Sequence, residues 1–302
     1  MGSRMRTLAG RCVFSSVRIL ERALPPAALR ASLLPLASCL ARLDLARIGG
    51  PRRANAMERL LPDAGNCTKT AFLEGRRRFH LQRALLNLPD RFTEPAWRDR
   101  FRMDGSDRLE AAIQSPKPVV LVTLHHGTHM ILRYALRAMG YPIATLVSER
   151  LQDRSALKRR KDSLSDFPSV PGVFSGHFPK AAIRFLRNNG TLIAMLDHAQ
   201  GRMLHVPIPG GTWRVSSTPF RIARAARACV LPVLIHEESP WQFLIRIGNP
   251  LPTGLLAREK DFPAAAQFLW QEYLPSLNAS AWDSYPELFD SLSLDSSPES
   301  AT

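Results

Sequence analysis

Apolar positions along this chain follow two rhythms. In the middle and later parts, the continuous apolar run at 118–124 predicts a strand buried on both faces, and 143–147, 191–196, 230–236 and 243–247 read as further strands. Between them, apolar residues recur at helical spacing. Helices are predicted at 127–139, at 152–164, at 179–188 (ended by Asn189-Gly190), and at 219–228 behind the capping pair Ser217/Thr218 with Pro219 in the first turn. Upstream, residues 54–115 read as helical, with Met57, Leu60, Leu61, Phe72, Phe79, Leu85 and Leu86 as the apolar positions. Strand–helix alternation of this kind predicts an α/β domain over residues 51–291, a mixed, mostly parallel sheet covered by helices. No internal repeat and no long linker divides it. The Ser- and acid-rich end, 292–302, reads as a flexible tail.

Composition changes this picture in one respect. With 302 residues, 45% hydrophobic and 22% charged, the chain is globular rather than disordered. Its charge, however, is +15, which calls for an anionic partner. Residues 1–60 carry eleven arginines against Glu21, Asp44 and Glu58. Within residues 1–50 the apolar run 31–41 is cut by Pro35 and stopped by Arg42, short of the ~20 residues a membrane span needs. Apolar stripes with interspersed arginines suit amphipathic helices lying in a membrane interface. A mitochondrial transit peptide or an ordinary set of surface helices fits the same composition. Leu36-Ala-Ser-Cys39 has the look of a lipoprotein box, but charged residues crowd its short apolar core. Met1-Gly2 opens like a myristoylation signal, with Arg6 where Ser or Thr belongs. Four cysteines, Cys12, Cys39, Cys67 and Cys229, show no metal-ligand spacing and predict a reducing compartment.

The densest chemistry lies in Leu124-His125-His126-Gly127-Thr128-His129-Met130, where a buried strand meets a helix. Ligands of open α/β sheets bind at the carboxyl ends of strands, and a helix start offers amide donors to an anion or oxyanion. Gly127 permits close backbone approach. A neutral imidazole there, His125 or alternatively His126, is a general base for a hydroxyl or amine attacking an acyl group. Packing histidines are the plain alternative for any one of the three. A metal held by His125 and His129 is another, but no HExxH is present and no metal is predicted.

The turn resembles the HxxxxE/D box of the lysophospholipid acyltransferase superfamily, in particular its bacterial lipid A lauroyl/myristoyl branch. The stretch Leu192-Ile-Ala-Met-Leu-Asp-His-Ala-Gln-Gly-Arg202, then His205-Val-Pro-Ile-Pro-Gly-Gly211, then Ser217-Thr-Pro219, then Ala223-Arg-Ala-Ala-Arg-Ala-Cys-Val-Leu-Pro-Val233 is similar to that branch in motif and order. So is Arg53-Ala-Asn-Ala-Met with Leu-Leu-Pro62 upstream; the likeness covers about residues 50–250. The resemblance implies a glycerolipid acyltransferase-like fold. It implies a peripheral enzyme on the cytoplasmic face of an inner membrane, moving a fatty acyl chain from acyl carrier protein or coenzyme A to a hydroxyl or amine of a lipid-like acceptor, with no bound cofactor. Gly127, Asp197 and Arg202 would line its site. The sequence departs from the box at its acidic position, which is Met130 counted from His125, or Ile131 counted from His126. The same position fails the HHxxxD pattern of condensation-type acyltransferases. A carboxylate from elsewhere, such as Asp197 or Glu149, a base working alone, or a catalytically silent relative that binds acyl groups or carrier protein all remain open.

Three basic rows complete the pattern. Residues 150–162 hold six basic side chains against Asp153 and Asp162, and Arg154 and Arg159 are its phosphate candidates. Lys180, Arg184 and Arg187 form a second row, and Arg221, Arg224 and Arg227 a third. Solvated helix faces produce such rows too, but phosphate-bearing head groups, coenzyme A and an acidic carrier protein all suit them. Nucleic acid is disfavoured: aromatics are 8% and no nucleic-acid-binding motif is present.

Overall fold

The computed structural model describes residues 24, 26–47, 60–61, 69–85, 98–148, 169–172, 180–197, 201–280, 288 and 291–294. Its frame is a seven-stranded sheet. Five strands run parallel side by side: β4 (Ser169–Gly172), β3 (Ile143–Ser148), β5 (Thr191–Met195), β2 (Val119–Thr123) and β8 (Cys229–Ser239). Next to β8 lies antiparallel β9 (Gln242–Ile247), and β1 (Phe101–Asp104) closes the edge parallel to β9. The expected mixed, mostly parallel sheet is therefore present.

β2 sits at the centre, and all five of its residues are buried. A strand's side chains alternate between faces, so Val120, Val122 and Leu124 enter one apolar cluster while Val119 and Leu121 enter the other. On the first face lie α5 (Lys180–Arg187), α6 (Thr218–Ala226) and the long α7 (Phe262–Ser280). On the second lie α3 (Ser106–Gln114), α4 (His129–Ala138) and the N-terminal α1 (Pro26–Arg47). A small antiparallel sheet, ordered β10 (Leu292–Leu294), β7 (Gly211–Ser216) and β6 (Met203–Ile208), packs through Trp213 on Trp270 and Tyr273 of α7.

Composition separates residues 1–50 from the rest, yet α1 belongs to the packed body. Leu29, Leu33 and Ala37 join the core, Arg30 pairs with buried Glu237 of β8, and its guanidinium lies 5.7 Å from the Trp241 ring. Asp44 holds α1 to α2 (Lys69–Leu85) through Arg76 at 2.8 Å and His80 at 2.9 Å. The outer side of α1 is different. Among the described residues, the large apolar side chains that stay exposed are Leu34, Leu36 and Leu43 of this helix.

Local pattern misjudged four places. Phe101–Asp104 lies in the region read as helical but is a strand, because an edge position beside β9 buries Phe101 against Phe243. Met203–Ser216, where the pattern predicts no element, is a hairpin whose Val206, Trp213 and Val215 face inward. The tail begins as a strand on β7 rather than fraying from residue 292. The helix after the histidine turn starts at His129, not Gly127. The predicted helix over 152–164 lies outside the described residues.

Candidate active site at the ends of two buried strands

Strand register builds the site. β2 and β5 pair in parallel with Val119 opposite Thr191 and Thr123 opposite Met195. Carried two residues further, the same offset sets His125 beside Asp197. The ladder runs on past the strands, since Leu196 donates its N–H to the Thr123 carbonyl at 2.9 Å. Next, the His125 N–H meets the Asp197 carboxylate, 2.9 Å from Oδ2 and 3.1 Å from Oδ1. The His125 ring then turns onto the same group, with Nδ1 2.8 Å from Oδ1. The Asp197 side chain is fully enclosed, while that of His125 keeps 16% of its surface open.

A carboxylate accepts only, so it selects the His125 tautomer that carries its proton on Nδ1 and its lone pair on Nε2. The carboxylate beside His125 thus belongs to the end of the neighbouring strand, 72 residues downstream, and not to the position five residues after the histidine.

Gly127 shapes the turn. Its φ is +54°, and a Cβ there would lie 2.4 Å from the Ile235 carbonyl oxygen. The missing side chain lets the turn dock on β8, where the Thr128 N–H donates to Ile235 at 3.1 Å. Gly127 therefore serves this close approach. The first amides of α4 are also engaged. The His129 N–H donates to His126 and the Ile131 N–H to Thr128, so the amides of Thr128, His129 and Ile131 are not the free donors the sequence suggested.

The other histidines are closed in. His126 is buried beneath the turn, its Nε2 3.0 Å from the Ser280 hydroxyl at the end of α7. Burial, reinforced by His236, lowers its pKa to about 3. His129 packs edge-on against His125, ring centres 5.0 Å apart, and burial holds it well below the usual imidazole range. His236 of β8 is likewise lowered, first by burial and then by Arg246. At neutral pH these rings carry no charge. An imidazolium forming on His125 thus meets a neutral His129 rather than a second cation. Among the described residues no group of His, Cys, Asp and Glu is arranged to hold a metal ion.

Arg202 follows Asp197 by five residues. It is exposed, and its guanidinium donates to Glu259 at 3.1 Å. Arg221 and Arg224 of α6 reach the same carboxylate at 3.4 and 3.1 Å, so three cations share one anion. Arg154 and Arg159 lie outside the described residues.

Sequence reading passed over the residues of α7. Tyr273 donates its buried hydroxyl to the Val122 carbonyl of β2 at 2.8 Å, and Asp197 and Glu272 add to the burial that raises its pKa well above the phenol range. Residues 273, 276 and 280 place hydroxyls at helical spacing beyond the apolar positions 262, 265, 266, 269 and 270, and that spacing was the available signal.

Comparisons with known proteins add one similarity. No family model matches the chain, and no curated protein matches it. Among solved structures, the chain is similar to the crystal structure of the 1-acyl-sn-glycerophosphate (LPA) acyltransferase PlsC from Thermotoga maritima. The identity is 14% and the TM-score 0.44, over 83% of this chain and 98% of that one.

Proposed function

We propose that this protein is an acyltransferase that moves a fatty acyl chain from a thioester, on acyl carrier protein or coenzyme A, to a hydroxyl or amine of a lipid-like acceptor. The observation that carries the reading is the His125–Asp197 pair at the carboxyl ends of two central strands. Nε2 of His125 takes the proton of the acceptor as its oxygen or nitrogen attacks the thioester carbonyl. The tetrahedral intermediate then collapses, the C–S bond breaks, and the leaving thiolate receives that proton. Asp197 orients the ring and stabilises the imidazolium between the two transfers, as the acid of a triad does.

Asp197 thereby becomes the partner of the base rather than a wall of the substrate site. Arg202, beside Arg221 and Arg224, remains an anion contact in this reading, as do Arg154 and Arg159 from their sequence pattern. No metal enters the reaction. Peripheral attachment at the cytoplasmic face of an inner membrane is part of the proposal. The exposed Leu34, Leu36 and Leu43 of α1 and the basic N-terminal segment support it. Among the described residues no helix is long and apolar enough to cross a membrane.

The test is thiol release from acyl carrier protein and coenzyme A thioesters of several chain lengths, with lysophospholipid, glycolipid and amine-lipid acceptors. Acceptor-dependent release that disappears in His125→Ala supports transfer. Release from none of them, with acyl-thioester binding retained, favours a silent relative that binds acyl groups or carrier protein.

A further inference from the structure

The inward face of α7 changes character along its length. Phe262, Ala265, Ala266, Leu269 and Trp270 pack apolar surface, and then Tyr273, Ser276 and Ser280 follow at helical spacing. All three hydroxyls have partners. Tyr273 donates to the carbonyl of Val122, three residues before His125. Ser276 accepts from Arg246 of β9 at 3.1 Å. Ser280 donates to the Ser276 carbonyl at 3.0 Å and lies 3.0 Å from His126 Nε2. A hydroxyl has one proton. With that proton on the Ser276 carbonyl, Ser280 is left as an acceptor, and His126 must supply the proton from Nε2.

The backbone that carries His125 is thus held on both sides of it. Val122 is fixed from below by Tyr273, and His126 is fixed by Ser280. Between them the His125 N–H and ring must both meet Asp197, a double contact that a small rotation of the turn would break. His126 has no opening to solvent, and its ring nitrogen faces a serine of the core. It is poorly placed to take a proton from a substrate and well placed to fix the turn.

We propose that His126 and Ser280, with Tyr273, are positioning residues that lock the histidine turn so that His125 presents Nδ1 to Asp197. This rests on the acyl-transfer reading only for its kinetic consequence; the geometric claim stands apart from it.

Two measurements on the full chain test the proposal separately from the chemistry. In proton NMR, the His125 Nδ1 proton shared with a carboxylate gives a far-downfield signal, assigned by its loss in Asp197→Asn. Ser280→Ala and His126→Leu are expected to broaden or abolish that signal, and Tyr273→Phe to weaken it. His126→Gln, whose amide donates from a position near Nε2, should retain it. In kinetics, Ser280→Ala and His126→Leu are expected to lower kcat on the order of tenfold at unchanged thioester KM, as small misplacements of a reacting group do. In an Asp197→Asn background neither should lower it further, because residues that act through one pair are not additive.

A parent chain without the downfield signal overturns the proposal. So does an undisturbed signal in folded Ser280→Ala and His126→Leu, or full additivity with Asp197→Asn. If the NMR pattern holds but no thioester is consumed, the positioning device stands and the acyl-transfer reading falls.

Discussion

Replacing Asp197 by Asn isolates the one contact on which the chemistry depends. The substitution keeps volume and shape. The carboxylate receives the His125 N–H and the proton on Nδ1 within 2.8–3.1 Å, and its side chain is fully enclosed. An amide has one acceptor oxygen for these two donors, and its NH2 favours the opposite imidazole tautomer, with the proton on Nε2. That tautomer cannot accept from a substrate. It also loses the negative charge that would face the imidazolium. Comparable changes in serine hydrolase triads cost about 10⁴-fold in kcat, or about 5.4 kcal/mol of barrier.

The His125 ring here is partly open to water, which can supply some of the lost stabilisation, so about 10²–10⁴-fold is expected. Folding should suffer less, since a hydrogen bond to a charged group contributes about 1.5–3 kcal/mol. The assay is thiol release under saturating acceptor, paired with thermal unfolding of the same preparation. A folded Asp197→Asn chain that keeps activity within fivefold of the parent would refute the role given to the pair. Equal loss in Asp197→Asn and Asp197→Glu, with both chains unfolded, would show that the residue acts on stability.

The structure carries four further expected outcomes. Gly127→Ala places a methyl group against the Ile235 carbonyl at a left-handed φ and should destabilise by more than the ~1 kcal/mol of that conformation alone, read as a fall in Tm together with loss of thiol release. His126 is neutral when folded and protonates when unfolded, so the unfolded chain binds more protons below the ordinary imidazole pKa of about 6.5. Stability should therefore fall as pH drops from there toward about 3, by about 1.4 kcal/mol per pH unit from this residue, and His126→Gln should flatten the Tm–pH slope. Arg30→Ala strips the partner from buried Glu237 and should cost about 3–5 kcal/mol, less what Gln82 and the Trp241 N–H retain, with faster hydrogen exchange in α1 as the local signature. Leu36→Glu with Leu43→Glu in the full chain should abolish flotation with anionic liposomes if α1 docks on lipid, whereas unchanged flotation would remove this helix as the anchor.

The sequence by itself determined whatever depends on local rhythm. The apolar run through Val119–Thr123 could be satisfied only by burial on both faces, and a helix after that strand followed from the periodicity beyond it, though its start lies two residues later, at His129, than local pattern indicates. Gly127 was marked from the outset as a close approach. Partnerships between distant segments were not legible in this way. Asp197 stood out as a residue of the matched loop, but nothing local tells that it lies against His125. That follows from the parallel register of β2 and β5, a tertiary property held by ladders and packing along both strands.

Burial of His126 is a second case. Three histidines so close together look alike in sequence, and only the fold leaves one partly open and buries the other two. The N-terminal segment is the third. Its composition suggested a surface element, but the Arg30–Glu237 pair and the Leu29, Leu33 and Ala37 contacts join α1 to the core and leave its opposite face exposed. In each case local pattern gave the kind of surface a segment carries. Which surface meets which was settled by long-range pairing, because burial free energy depends on the partner and not only on the residue.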